Sequence, residues 1–186
     1  NHGTIQPAAA DMTIHGQLLS DGGIGLVSAD GQQAQQIMVD GKANIQGSQL
    51  VRVDGSAYLP DKSYTFLTAG GGLSGNFTNT QGSPFTGLLN IQNLALSDNS
   101  GMVTLKLANN LGTLDGNQQW VYDSLPDFLH HTQTGSMEQT QLARLLGASP
   151  AAASAGLASA AQNGTADSAA MTMSSLNAMN AIGART

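Results

Sequence analysis

Cysteine is absent from the sequence, and charged and aromatic residues are scarce. The lack of cysteine excludes disulfides, thiolate nucleophiles and thiolate metal sites, and it suits a chain that must stay unfolded during export. Charged residues make up 10% of the chain and aromatic residues 4%, whereas about 25% of residues are charged in a typical soluble domain. Such a chain has to rely on regular backbone pairing, because it cannot build bulky cores or networks of ion pairs.

The charge balance and the lack of long apolar runs exclude two classes of partner. Six basic residues stand against twelve acidic ones, a net charge of −6, which argues against binding to nucleic acid or to an anionic membrane. No apolar run approaches the roughly 18 residues of a membrane-spanning helix. No leader sequence opens the chain at residues 1–5, so we expect a fragment whose targeting signal lies outside it.

Pairs of apolar residues separated by one position recur along the first third of the sequence. They are Met12 and Ile14, Ile24 and Leu26, Ile37 and Val39, Val51 and Val53, and Tyr64 and Phe66. The second members of successive pairs stand at positions 14, 26, 39, 53 and 66, and this nearly even spacing indicates an internal repeat. Asp-Gly dipeptides, whose residues accept positive φ at tight corners, begin at positions 21, 30, 40 and 54. The pattern predicts short strands joined by tight turns.

Two architectures fit strands at this spacing. One is an antiparallel sandwich or meander, and the other is a parallel β-solenoid in which two strand units, roughly 25 residues, form one coil. The small side chains and the similarity of successive clusters favour the solenoid, because each coil has to stack on its neighbour. We therefore predict a mainly β domain over residues 1–109.

The stretch 56–77 carries large apolar side chains on either side of a triple glycine at 70–72. We expect a tight bend there that joins two aromatic strands. Apolar and polar residues alternate within 91–107 on both sides of a turn at 98–101, and this pattern predicts a hairpin. Together these segments, about 54–109, form a cap that closes the exposed end of the sheet. Its predicted folding nucleus consists of Tyr58, Tyr64, Phe66, Leu67, Leu73, Gly75 and Phe77.

Beyond Asn109 the apolar residues change to helical spacing. One helix carries Pro126, which predicts a kink or a new start. A capping box at Ser136 predicts a second helix that ends at Gly147, and Pro150 begins a third. A last helix is expected over 165–182. Residues 110–186 are thus predicted to form an Ala- and Ser-rich helical segment whose helices pack loosely on one another.

No arrangement of residues predicts catalysis, so we expect no enzyme activity, no cofactor and no metal site. No serine has a triad-like spacing to a histidine, and His130 and His131 would point about 100° apart on a helix. The glycines at 22–25 lack the aspartate of a calcium-binding repeat, and those at 70–72 lack the lysine of a phosphate loop. Aromatic residues on alternating strands could form an exposed ligand patch, but a core role is favoured.

Three motifs, taken in order, resemble the C-terminal passenger region of bacterial autotransporters, which use type V secretion. Residues 37–48 are similar to a coil of the passenger repeat. Residues 64–77, with 103–107 as closing strand, are similar to the terminal aromatic hairpin called the autochaperone. Residues 116–119, 142–146 and 173–185 are similar in order to the helices that link passenger to barrel.

The resemblance implies a fold, a function and a location. The fold would be a right-handed parallel β-helix, capped by the aromatic hairpin region and followed by the helical linker. The segment would nucleate folding of the secreted passenger at the bacterial surface and link it to an outer-membrane barrel absent from this sequence. Its partners would be its own upstream passenger coils, that barrel and host cell-surface ligands, with no nucleic acid. The parent would be an adhesin or virulence factor.

Two alternatives stay open at this point. The segment could be the stalk of an autotransported enzyme, such as a serine protease, whose catalytic domain lies upstream. It could also be a binding module in its own right that recognises host carbohydrate or protein. The sequence that precedes residue 1 would separate them, because further coils favour an adhesin and a compact domain with a catalytic triad favours an enzyme.

Overall fold

The computed structural model describes residues 2–8 and 10–162, which form eleven strands and three helices. The strands are β1 (Thr4–Ile5), β2 (Met12–Ile14), β3 (Leu18–Leu19), β4 (Gly23–Leu26), β5 (Ile37–Val39), β6 (Ala43–Asn44), β7 (Gln49–Arg52), β8 (Ser63–Ala69), β9 (Leu73–Ser74), β10 (Leu89–Leu96) and β11 (Ser100–Leu107). The helices are α1 (Gly116–His131), α2 (Met137–Gly147) and α3 (Pro150–Gln162). The helix expected over 165–182 lies outside the described residues.

The first nine strands join three sheets in rotation. One sheet has the order β1-β4-β7, another β3-β6-β9, and the third contains β2, β5 and β8. The strands of each set pair in parallel. Met12 pairs with Ile37 and Leu18 with Ala43, so the chain returns to the same sheet with every third strand. We call β1–β3, β4–β6 and β7–β9 the first, second and third triplets.

The connection from β7 to β8 is longer than its counterpart in the second triplet. Leu26 pairs with Arg52, and Ile37 pairs with Leu67. Eleven positions therefore lead from Leu26 to Ile37, but fifteen lead from Arg52 to Leu67. Most of this stretch is residues 53–62, which we call the long connection. The four additional positions leave the register on both sides intact.

An antiparallel hairpin extends the third sheet, whose full order is β10-β11-β8-β5-β2. Strands β10 and β11 pair in antiparallel fashion around a turn at residues 97–99, and the predicted hairpin is confirmed. Strand β11 pairs with β8 in the same antiparallel sense. The parallel addition of strands therefore ends at β8.

The predicted fold class, a mainly β right-handed parallel β-helix, is wrong. The structure has mixed α and β content, with three separate sheets, one of them mixed, and three helices in the described residues. The apolar repeat located strands, but a period of two does not determine which sheet a strand joins. The aromatic stretch is also no hairpin, because β8 and β9 lie in different sheets and the glycines at 70–72 turn the chain between them.

The helix boundaries follow local capping signals. The Asp115 side chain accepts hydrogen bonds from two backbone N–H groups of the first turn of α1. In return, the Asp115 backbone N–H donates to the Gln118 side-chain oxygen, which completes a capping box. Pro126 lies inside α1 rather than ending it. Ser136 caps α2, which ends at Gly147 as predicted. None of the described helices is long and apolar enough to cross a membrane.

Helix α2 is anchored to the sheets through its last carbonyl groups. The Tyr58 backbone N–H donates to the Ala143 carbonyl at 2.9 Å. The Thr86 hydroxyl donates to the Leu146 carbonyl at 2.6 Å. The last four carbonyls of a helix lack partners within it, so Thr86 satisfies the Leu146 carbonyl, which would otherwise need water. These bonds connect α2 to the strand region, and the loose packing expected between the helices stays a prediction.

One hydrophobic core runs through the sheets and the helices. The strands supply most of its members, and the apolar faces of α2 and α3 supply others. Fully buried members from each part are Ile24, Ile37, Leu50, Tyr64, Phe66, Leu88, Ile91, Leu105, Leu146 and Leu157.

Candidate functional site

The predicted nucleus residues lie in the long connection, in β8 and in the segment that starts with β9. The fully buried members are Tyr58, Tyr64, Phe66 and Leu67. The half-buried members are Leu73, Gly75 and Phe77. The structure thus brings four of the seven into the core and leaves three at its margin.

A β-bulge explains why two successive residues of β8, Phe66 and Leu67, are both buried. Side chains on a regular strand alternate between faces. The register with β11 shifts here, since Gly101 pairs with Leu67 but Met102 pairs with Thr65. The unpaired Phe66 is the additional residue that reverses the alternation. A Cβ on Gly101 would lie 2.9 Å from the Phe66 ring, so the opposing glycine leaves room for that ring.

The buried rings form two separate groups. Tyr58 meets Tyr64 edge-on at a centroid distance of 6.3 Å and Phe85 at 5.3 Å. Phe66 meets Phe77 edge-on at 5.7 Å. Edge-to-face pairs add to the stabilisation from burial, by about 0.5–1.5 kcal/mol each. Phe85, which the predicted nucleus omits, is therefore a member of the first group.

Both tyrosine hydroxyls tie the aromatic core to earlier parts of the chain. The Tyr58 hydroxyl donates to the Leu26 carbonyl. The Tyr64 hydroxyl donates to the Gly31 carbonyl at 2.8 Å and accepts the Leu59 N–H at 2.7 Å. Burial raises the pKa of both phenols above the ordinary value of 10.0, because a phenolate would lose its hydration. The cluster therefore fixes contacts between segments that are distant in the sequence.

Gly75 lies where a larger residue would not fit. Its φ is +95°, a conformation that side chains rarely adopt, and an added Cβ would lie 2.5 Å from the Gln46 backbone nitrogen. Replacement of this glycine is therefore disfavoured both by the backbone conformation and by the lack of space.

The outer edges of the third triplet are each covered by a different device. Strand β8 is covered by β11. On β7, the Asn79 amide accepts the Leu50 N–H and donates to the Leu50 carbonyl, both at 2.8 Å. On β9, the Leu73 N–H donates to the Asp98 carbonyl in the hairpin turn at 2.7 Å. Edges that could accept further strands are thus occupied.

A series of hydroxyls follows one corner of the triplets. The Ser48 hydroxyl donates to the Ser20 carbonyl at 2.9 Å. The Thr78 hydroxyl donates to the Ser48 carbonyl at 3.3 Å. Each later hydroxyl therefore bonds to the preceding triplet. The Ser20 hydroxyl is buried and has no hydrogen-bond partner within the described residues.

A cavity of about 410 Å³ lies between the end of the long connection, the last turn of α1 and the start of α2. Leucine and proline side chains form its apolar walls. Its polar lining consists of Gln32, Asp61, Lys62, His130, Thr134 and Gln139. Sequence patterns carry no signal of this cavity, since its polar residues come from segments up to 107 positions apart.

Three of these polar side chains form a continuous hydrogen-bond chain. The Lys62 ammonium donates to Gln32 Oε1 at 2.6 Å. The Gln32 Nε2 group donates to Gln139 Oε1. That same oxygen accepts the Gly135 backbone N–H at 2.9 Å. Gln139 is only 8% exposed, so the chain reaches from the cavity into the body of the molecule.

The histidines form no catalytic arrangement in the described residues. The rings of His130 and His131 stack at a centroid distance of 5.3 Å at the end of α1. His2 and His15 each pair with an exposed aspartate, at 2.7 and 2.6 Å. Within residues 2–8 and 10–162, no group of three or more His, Cys, Asp or Glu could hold a metal ion. The expected lack of enzyme activity stays a prediction.

No family model, curated protein or solved structure matches this chain. The resemblance to autotransporter passengers therefore rests on the sequence motifs alone and stays a prediction.

Proposed function

We propose that this chain is the terminal segment of a secreted bacterial surface protein of the autotransporter type. In this proposal it ends the growth of the parallel sheets and nucleates their folding at the cell surface. Its partners are preceding strands of the same protein and the outer-membrane translocator. The observation that carries the proposal is the difference between the two ends of the triplets.

The covered edges of the third triplet support a role as an end cap. Parallel sheets can extend as long as each new strand finds an edge with unpaired backbone groups. Here a hairpin, the Asn79 amide and the hairpin turn occupy the three edges. Each of the three edges thus has a partner outside the triplets, which disfavours the addition of another triplet on that side.

The first triplet supports a role for preceding strands as partners. Strands β1, β2 and β3 are each the end strand of their sheet among the described residues. The buried Ser20 hydroxyl continues the series in which Ser48 and Thr78 bond to the preceding triplet. A buried hydroxyl without a partner is unfavourable by about 1–3 kcal/mol. A carbonyl from one more preceding segment would remove that cost.

The aromatic core supports a role as a folding nucleus. It holds the largest buried side chains, including Tyr58, Tyr64 and Phe66, and its hydroxyls already fix contacts to the second triplet. Structures built of stacked units fold by propagation from a nucleus. The region with the most buried apolar area is the favoured start.

Pulse-labelled hydrogen exchange during refolding tests the nucleus directly. Strands β8 and β2 belong to the same sheet, so they provide a matched comparison. We expect the β8 and β11 amides to gain protection before those of β2. If β2 gains protection first, or both in one phase, the chain does not fold from the aromatic core.

Display at the cell surface tests the wider proposal. The chain is fused to an outer-membrane translocator in a bacterial host, and resistance of the displayed chain to protease is measured. We expect Phe66→Ala to reduce the resistant fraction strongly and Met12→Ala, in β2, to reduce it little. Equal losses, or no display of the wild-type chain, would contradict the proposal.

A further inference from the structure

The cavity beside the long connection has a polarity that its hydrogen bonds determine. Lys62 can only donate, so the atom of Gln32 that it contacts must be the amide oxygen. The Gly135 backbone N–H can also only donate, so the atom of Gln139 that it contacts must be an oxygen as well. The contact between the two amides then runs from Gln32 N–H to Gln139 oxygen. The orientation of both side chains is therefore fixed.

This orientation leaves hydrogen-bond donors for a ligand. Both amide oxygens are used inside the chain, whereas Lys62, Gln32 and Gln139 keep N–H groups that make no further hydrogen bond among the described residues. The ion pairs of the described residues involve His2, His15 and Arg52, and none of them includes the Lys62 ammonium. These N–H groups beside a positive charge fit the negatively charged part of a ligand.

The rest of the lining restricts the kind of anion. Leu59, Leu107 and Leu129 contribute apolar walls, which fit a ligand with a carbon framework. Asp61 adds one carboxylate to the lining, and it would accept hydrogen bonds from hydroxyl groups. A bare inorganic anion would leave these walls uncovered and would offer Asp61 no hydroxyl group to bind.

Asp61 has a left-handed backbone conformation, which aspartate accepts at tight turns. Its φ is +57°, directly after Pro60, at a turn position where glycine or asparagine is preferred. Asparagine suits the same turn position, so Asp61→Asn removes the carboxylate charge without disturbing the backbone.

We propose that this cavity binds a small hydroxylated carboxylic acid of the sugar-acid class. The ligand carboxylate accepts hydrogen bonds from Lys62 and Gln139, and a ligand hydroxyl donates to Asp61. This activity goes beyond the proposed function in folding, and it does not depend on it.

The test titrates the isotope-labelled full chain with glucuronate and follows its amide resonances by NMR. Glucuronate methyl ester, which lacks the charge, and glucose serve as matched probes. We expect saturable shifts at the cavity with glucuronate and none with the ester or glucose. Lys62→Met, which keeps the apolar stem, should weaken binding by about tenfold or more. Lys62→Arg should retain most of it.

Lys106→Met is the control, because Lys106 is an exposed residue of β11 outside the cavity lining. It should bind glucuronate as the wild type does. Asp61→Asn, which suits the positive φ, should reduce the preference for glucuronate over acetate. The proposal is overturned if glucuronate causes no saturable shift at the cavity, if the ester binds equally, or if folded Lys62→Met and Lys106→Met bind alike.

Discussion

The first and third triplets follow the same strand rotation, but their side chains are buried to different degrees. In the first triplet, Ile5 and Met12 are only partly buried, and Leu19 is 70% exposed. In the third, Tyr64 and Phe66 are at most 1% exposed. The difference arises from what covers each end. The hairpin and the helices pack over the third triplet, whereas the strands of the first triplet are the end strands of their sheets among the described residues. Burial, rather than strand pattern, therefore distinguishes the third triplet from the first.

The largest expected effect is that of shortening a core ring in the third triplet. Phe66→Ala should lower the free energy of unfolding by about 3–5 kcal/mol, because it leaves a cavity in a fully buried site. Met12→Ala, in the first triplet, should lower it by about 1 kcal/mol, because that side chain is only partly buried. Urea denaturation followed by circular dichroism measures both. Similar losses would show that the two ends are equally packed.

A pair of glycine substitutions separates steric clash from backbone strain. Gly75→Ala meets both, with φ +95° and a Cβ 2.5 Å from the Gln46 nitrogen, whereas Gly55→Ala meets only a φ of +79°. We expect Gly55→Ala to cost about 1–2 kcal/mol of stability from the left-handed backbone alone. Gly75→Ala should cost more, because the β6–β7 corner has to move. Equal losses of stability for the two variants in urea denaturation would mean that the β6–β7 corner moves away from the added methyl group at no energetic cost.

Opening one covered edge should make the third triplet behave more like the first. Asn79→Ala removes two hydrogen bonds to Leu50, each contributing about 0.5–1.5 kcal/mol. It also exposes the outer edge of β7, so we expect concentration-dependent association in sedimentation velocity. Asn93→Ala, in β10, serves as a surface control. A variant that stays monomeric at high concentration would show that Asn79 does not protect this edge.

Alkaline pH should act on the cap more than on the first triplet, because Tyr58 and Tyr64 lie in the cap. Their pKa values are raised in the folded state, so the folded chain holds these protons more tightly than the unfolded chain. The stabilisation is complete below the unfolded pKa of 10.0 and is lost as pH rises towards the raised pKa. Above pH 10, the free energy of unfolding should therefore fall less steeply with pH in Tyr64→Phe than in the wild type, by up to about 1.4 kcal/mol per pH unit.

Thermal unfolding between pH 9 and 11, the range around the unfolded pKa of 10.0, measures this slope. Tyr122→Phe is the comparison: burial raises the pKa of this phenol too, but Tyr122 is only half-buried on α1, so its removal should change the slope less. An unchanged slope for Tyr64→Phe would show that its phenol does not carry the pH dependence.

Local features were predictable from the sequence, and long-range ones were not. The hairpin, the start of α2 after Ser136 and the start of α3 at Pro150 follow from neighbouring residues that act on one another directly. The fold class was predicted wrongly, because the alternation of apolar residues does not indicate which strands pair with each other or which helices pack onto the sheets. The bulge at Phe66 depends on its pairing with β11, which no local pattern reveals.

The predicted nucleus was partly informative for the same reason. Large apolar side chains such as Tyr64 and Phe66 are buried in almost any fold that this sequence could adopt. Phe85 joins Tyr58 only because the chain turns back to the core between β9 and β10. The cavity requires Gln32, Lys62 and Gln139 to meet, and these polar residues follow no spacing that the sequence marks.

The long connection indicates where a chain of this kind can acquire new sequence over evolution. Four additional positions between Arg52 and Leu67 leave the strand register unchanged on both sides. Insertions at such a position escape the constraint that pairing imposes on the strands, so selection can act on them separately. In this chain the same segment supplies Tyr58, which anchors α2, and Lys62, which lines the cavity. A longer connection can thus add a helix contact or a cavity to a repetitive scaffold without changing the pairing of its strands.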